Sequence, residues 1–147
     1  MRQNYPFHYS FLVKDLESTR RFYCEILNCR EGRSTNTWVD FDFFGNQLSC
    51  HVSDVIPPSV DCGIVDKIVV PIPHFGCIIS WDEFNDLSKR LIDAGIPFLI
   101  TPLVRFSGEP SEQATMFFKD YSGNALEFKS FRNPEHIFTS SPQGFGE

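Results

Sequence analysis

Long apolar runs are missing from this 147-residue chain. Nothing in it approaches the ~20 consecutive apolar residues a helix needs to cross a bilayer, and the opening MRQNYPFHYS lacks the apolar stretch of a signal peptide. A cytoplasmic protein is the expectation. Basic residues are in the minority, 13 Lys and Arg against 19 Asp and Glu, for a formal net charge of −6. That leaves no basic face to neutralise phosphates, which argues against nucleic acid or an anionic membrane as partner. Cysteine pairing signals are absent as well. Cys24, Cys29, Cys50, Cys62 and Cys77 are odd in number and show no C-x-x-C spacing, so they read as reduced core or surface thiols in a reducing compartment.

What the chain does have is apolar and aromatic bulk. Sixteen phenylalanines and a 41% apolar share can fill a substantial interior, which excludes disorder. The length suits one compact domain, or two half-sized modules sharing one core.

Internal repetition supports the second form. HYSFLVKDLESTRRFYCEIL from His8 and HFGCIISWDEFNDLSKRLIDAG from His74 both read as a histidine, an apolar strand, an acidic cap and an amphipathic helix. In the first, Asp15 is the expected N-cap, with Leu16, Thr19, Tyr23 and Leu27 at helical spacing. In the second, Asp82 is the expected cap, Phe84, Leu87, Leu91 and Ile92 form the stripe, and Gly95 ends the helix. Three strand-like pieces follow each helix. They are residues 29–33, TWVDFDFF and NQLSCHVS in one half, and PFLITP, ATMFFKD and ALEFKSF in the other.

The reading is therefore an α+β chain of two tandem βαβββ modules, about 5–53 and 72–132, within a single domain. A proline-bearing linker without helical pattern joins them over about 54–71, and a polar tail covers 133–147. Because a four-stranded sheet with one helix leaves a face uncovered, two such modules are expected to pair into a cupped mixed sheet with the helices outside.

Side chains alternate faces along a strand. Ser49 and His51 thus share a face of the first module's last strand, as Ala125, Glu127 and Lys129 do in the second. His8 and His74 open the two first strands. Taken singly, each histidine reads better as a satisfied polar residue at a strand end, and Glu127 as a residue on a solvated face. Together, His8, His51, His74 and Glu127 fill repeat-related positions with imidazole and carboxylate, the pair suited to Fe(II), Mn(II), Ni(II) or Zn(II) with positions left open. A buried Glu127 would also need a cationic partner. His136 lies outside the repeat.

These segments resemble the vicinal oxygen chelate superfamily, which includes glyoxalase I, bleomycin- and fosfomycin-resistance proteins and extradiol dioxygenases. HYSFLVKDLESTRRFY is similar to its opening strand and helix, and DYSGNALEF to its closing D-P-x-G-x-x-x-E signature, with Tyr121 where proline is usual. The likeness covers about residues 5–132. DFDFFGNQLSCH and VRFSGEPSEQATMFFKDYSGNALEFKSF further resemble a branch described as predicted extradiol-type dioxygenases.

The resemblance implies a bound metal, a small-molecule substrate chelating it through neighbouring oxygens, and a homodimer. An extradiol dioxygenase wants three open positions on Fe(II), the favoured ion, which suits His8, His74 and Glu127 as ligands with His51 as an acid or base. If His51 also binds, two positions remain, as for a glyoxalase-like isomerase. A third reading is a non-catalytic protein sequestering a small aromatic compound. Arg105 and Gln113 are candidate substrate contacts, with an ion pair to Glu109 or Glu112 as the alternative for Arg105. Phe44, Phe106, Phe117, Trp38 and Trp81 are core candidates, some of them able to line a pocket for a ring.

Overall fold

The computed structural model describes residues 4–139, and the part of the expected tail from 140 onward lies outside them. The chain divides into two compact units. Among the described residues, one is formed by residues 4–58 together with Asp120–Gly123, the other by Ser59–Lys119 and residues 124–139. The architecture is α+β, mostly strand with two helices.

In the first unit, strand β1 (His8–Val13) is followed by helix α1 (Leu16–Arg20), a π-helical segment (Arg21–Ile26) and strands β2 (Arg30–Ser34), β3 (Trp38–Phe43) and β4 (Asn46–Val52). The sheet order is β1-β4-β3-β2, with β1 parallel to β4 and the remaining pairs antiparallel. Asp15 caps α1 as expected, its Oδ1 accepting from the Ser18 amide at 2.6 Å.

Alternation then splits the sheet. Phe11, Val13, Val39, Phe41, Phe43, Leu48 and Cys50 are buried on one face, where Tyr23 of the π segment stacks on Phe41 and tilts against Phe11. The opposite face carries His8, Ser10, Gln47, Ser49, His51, Trp38 and Asp40 in register. Tyr23, buried throughout, donates its hydroxyl to Asp120 Oδ2 at 2.9 Å, and Asp120 Oδ1 accepts from the Ser122 amide. Tyr121 sits edge-on to Phe22 at 5.2 Å.

The second unit opens with a hairpin, β5 (Val60–Val65) and β6 (Ile68–Ile72). The segment read as a proline-bearing linker without helical pattern thus carries two strands. The hairpin's Val65 and Val70 pack against Ile100, Leu103 and Phe117, so the segment has a core to cover. Next, residues 75–79 run parallel to the last strand, β9 (Ala125–Phe131). The Phe75 amide donates to Ala125 O, and the Glu127 and Lys129 amides donate to the Phe75 and Cys77 carbonyls. Helix α2 (Trp81–Asp93) lies against β9, and β7 (Phe98–Arg105) and β8 (Gln113–Lys119) complete a β7-β8-β9 sheet.

Two helix details depart from expectation. Ser80, not Asp82, caps α2, because Ser80 and Glu83 form a reciprocal capping box. Phe84, Leu87 and Leu91 are buried as expected, whereas Ile92 is 59% exposed, one step around the helix from the stripe. Gly95, at φ +71°, ends the helix as expected.

Candidate functional site

The second unit brings two of the expected ligands together. His74 Nε2 stands 3.1 Å from Glu127 Oε2. Glu127 is 8% exposed and points from β9 into a face shared with Phe117 and Thr115 of β8, its neighbours across the ladder. Thr115 Oγ1 donates to Glu127 Oε1 at 2.9 Å, and Lys129 Nζ lies 3.6 Å from the same oxygen. One carboxylate oxygen is thus held within the sheet, and the other faces the imidazole.

The ring of His74 is set by its other nitrogen. Nδ1 lies 2.8 Å from the Pro71 carbonyl of β6, which can only accept, so Nδ1 carries the hydrogen. Phe117 meets the ring edge-on at 4.8 Å. In the neutral ring, Nε2 then turns a lone pair toward a carboxylate oxygen, a repulsive arrangement unless a proton or a metal cation lies between them. As a proton site, the pair behaves accordingly. The hydrogen bond with Glu127 raises the His74 pKa, against burial. For Glu127, burial pushes upward, and its bonds from His74 and Thr115 with the nearby Lys129 charge outweigh it, so its pKa is lowered.

As a metal site, the pair also fits. Two donors at right angles and about 2.1 Å from one ion lie about 3 Å apart, close to the 3.1 Å found. Imidazole and carboxylate are the donor types such ions take. Among the described residues no group of three or more His, Cys, Asp or Glu side chains is arranged to hold an ion; the second unit supplies a pair.

The other two candidate ligands belong to the first unit. His8 opens β1 opposite Gln47, with Nδ1 2.8 Å from Gln47 Oε1 and Nε2 3.2 Å from Ser10 Oγ. His51 is exposed, on the same sheet face, beside Trp38 at a ring separation of 6.3 Å.

Arg105 and Gln113 are cross-strand partners at the end of the β7–β8 ladder. The Arg105 guanidinium lies over Phe106 and 3.9 Å from Asp66 in the hairpin turn. Its alternative partner Glu112 is taken by Arg132 at 2.7 Å. Gln113 is buried on the Thr115 face. Of the aromatic candidates, Phe117 is fully buried, Phe44 is 37% exposed, and Trp81 lies under the Arg132 guanidinium at 3.6 Å.

Three contributors escaped sequence reasoning. Thr115 was open to detection through strand parity once β8 and β9 were aligned. Pro71 read only as a linker proline, and Gly76 gave no local signal. Its importance is steric: a Cβ there would stand 2.6 Å from the Glu127 carbonyl carbon and 3.3 Å from its nitrogen, so only glycine lets this segment lie against β9.

No curated protein sequence matches the chain significantly. A crystal structure of a glyoxalase/bleomycin resistance protein/dioxygenase from Alicyclobacillus acidocaldarius is similar at 32% identity, covering 94% of this chain and all of that one, with a TM-score of 0.74. At 20% identity, a fosfomycin resistance protein from Listeria monocytogenes shares the fold over 93% of this chain and all of its own, TM-score 0.69. A virulence protein from Salmonella typhimurium does so at 22% identity over 89% and 99%, TM-score 0.60. The model of the Glyoxalase/Bleomycin resistance protein/Dioxygenase superfamily matches residues 6–128, and with the repeated βαβββ plan this makes the chain a member of that superfamily, the vicinal oxygen chelate proteins.

Proposed function

We propose that the protein is a divalent-metal-dependent enzyme in which His74 and Glu127 are two of the ligands. The observation that carries this reading is the Pro71 carbonyl. By fixing the hydrogen on His74 Nδ1, it leaves Nε2 and Glu127 Oε2 as paired electron donors 3.1 Å apart. His8 is proposed as a third ligand and His51 as a fourth ligand or an acid or base, on the strength of their repeat-related positions and the common sheet face they share.

When bound, the cation, Fe(II) in the favoured version, supplies Lewis-acid polarisation of neighbouring substrate oxygens. The chain's own residues do the positioning. Thr115 and Lys129 hold Glu127 Oε1 so that Oε2 stays directed at the imidazole. Pro71 and Phe117 hold the ring plane of His74. Gln113 and Arg105 present an amide and a planar cation on adjacent strands, suited to orienting an anionic or phenolic substrate group.

The branch likeness favours an extradiol-type dioxygenase acting on a small aromatic or vicinal-oxygen substrate. A homodimer and a cytoplasmic location belong to the same proposal; no described helix is long and apolar enough to cross a membrane.

Metal analysis of the purified protein tests the assignment. The expectation is about one divalent ion per chain, most of it lost in His74→Ala and in Glu127→Ala. Full retention in both variants rejects it. Oxygen uptake with Fe(II) and catechols supports the dioxygenase. Oxygen-independent turnover of a hemithioacetal replaces it with an isomerase, and tight binding of an aromatic without turnover with a sequestering protein.

A further inference from the structure

Within the first unit, a chain of hydrogen bonds runs from a buried carboxylate to His8. Asp40, on β3, is 5% exposed. Its Oδ1 accepts from Ser49 Oγ at 2.6 Å, and its Oδ2 accepts from Gln47 Nε2 at 3.3 Å and lies 3.7 Å from the Arg33 guanidinium. Gln47 Oε1 in turn lies 2.8 Å from His8 Nδ1.

Donor and acceptor logic orders the hydrogens along this path, from buried Asp40 to Gln47 and His8 at its exposed end. A carboxylate only accepts, so Gln47 must turn its NH2 toward Asp40 and its carbonyl toward His8. A carbonyl also only accepts, so His8 Nδ1 must carry the hydrogen. Nε2 is left with its lone pair, and the Ser10 hydroxyl, 3.2 Å away, is the donor to it. In water a neutral histidine side chain favours the opposite tautomer, with the hydrogen on Nε2. The network therefore reverses a default.

We propose that Asp40, acting through Gln47, is a positioning residue that fixes His8 in the Nδ1–H tautomer and keeps Nε2 as an electron-pair donor. The importance of that donor rests on the reading of His8 as a metal ligand; the relay itself does not. It parallels the second unit, where the Pro71 carbonyl imposes the same tautomer on His74. One histidine is set by a backbone carbonyl, the other by a buried carboxylate acting through an amide.

The chemistry gives a sharp test. In Asp40→Leu, the acceptor for the Gln47 NH2 is removed. The Gln47 carbonyl is then free to turn toward the neighbouring Arg33 guanidinium, presenting its NH2 to His8 Nδ1, and the imidazole hydrogen moves to its default place on Nε2. Adding Gln47→Glu restores an acceptor beside Nδ1, and with it the original tautomer.

Long-range ¹⁵N correlation spectra of the histidine rings distinguish the tautomers directly. They are recorded on the full chain kept metal-free with chelator, at a pH well above the ordinary histidine value of about 6.5. The expected results are Nδ1–H for His8 in the wild type, Nε2–H in Asp40→Leu, and Nδ1–H again in the double variant. A wild-type ring protonated on Nε2, or an Asp40→Leu protein that keeps Nδ1–H, overturns the proposal.

Mn(II) titration of the same proteins reports on the ligand reading separately. Loss of a group that orients a ligand costs about 10- to 100-fold in metal affinity, so Asp40→Leu should bind Mn(II) at least about ten times more weakly, and the double variant should recover. Unchanged Mn(II) binding beside an inverted tautomer leaves the relay standing and removes His8 from the ligand set.

Discussion

Replacing Gly76 by alanine tests whether the His74–Glu127 pair depends on backbone proximity. Ordinary van der Waals contact begins at about 3.4 Å, and the added methyl would stand 2.6 Å from the Glu127 carbonyl carbon, closer still to its oxygen. The 75–79 segment must then retreat from β9 by at least about 0.8 Å, because the obstacle is backbone. The two bonds that bracket the contact, Glu127 N–H to Phe75 O and Lys129 N–H to Cys77 O, at 2.9 and 3.1 Å, are the ones stretched. At about 1 kcal/mol for each weakened bond and about 1–3 kcal/mol for overpacking, the variant should lose about 3–5 kcal/mol. His74, two residues upstream, moves away from Glu127 with the segment. Urea unfolding should show the fall in midpoint, and metal analysis at a temperature where the variant remains folded should show lost uptake. A Gly76→Ala protein with the wild-type midpoint and metal content would refute the close approach and the dependence of the pair upon it.

Tyr23→Phe removes a hydroxyl donor from the buried Asp120 carboxylate and should cost about 2 kcal/mol in urea unfolding; a loss under about 0.5 kcal/mol contradicts the buried bond. The His74–Glu127 pair gives a pH window in the metal-free protein. The raised His74 pKa contributes stability present below its unfolded value and lost as pH rises through its folded one. The lowered Glu127 pKa contributes stability present above its unfolded value and lost as pH falls through its folded one. A cation must displace the His74 proton, so below the raised pKa calorimetry in buffers of different ionisation enthalpy should find about one proton released per ion, and no release there contradicts the assignment. Native alkylation should modify the exposed Cys62 and spare Cys50, which is buried and whose thiol pKa burial pushes up; equal rates at the two would contradict that burial.

The repeat was legible because its signals are local. His8 and His74 each precede an apolar strand and an amphipathic helix, and period-two alternation alone set Glu127 beside Lys129 and His51 beside Ser49. The hairpin was not legible for equally physical reasons. Its turn residues, Asp66 and Lys67, adopt φ of +51° and +67° without the glycine or asparagine that announces such turns, and Pro71 sits inside β6, where proline argues against a strand. The cap of α2 is ambiguous in sequence because Ser80 and Asp82 are both good caps, and only the reciprocal bonds with Glu83 separate them. Asp40 escaped because its meaning depends on three strands in register, with Ser49 opposite it and Gln47 opposite His8. Such long-range pairing leaves no trace in a single sequence.

The Pro71 carbonyl belongs to the β5–β6 hairpin, yet it decides which nitrogen of His74 is bare. Fraying of that small ribbon frees the imidazole to rotate and change tautomer, so the strength of any grip on an ion is tied to how often the ribbon opens. Linkage makes the tie mutual: an ion seated on the ring would slow amide exchange along β5 and β6, strands that contribute no ligand of their own.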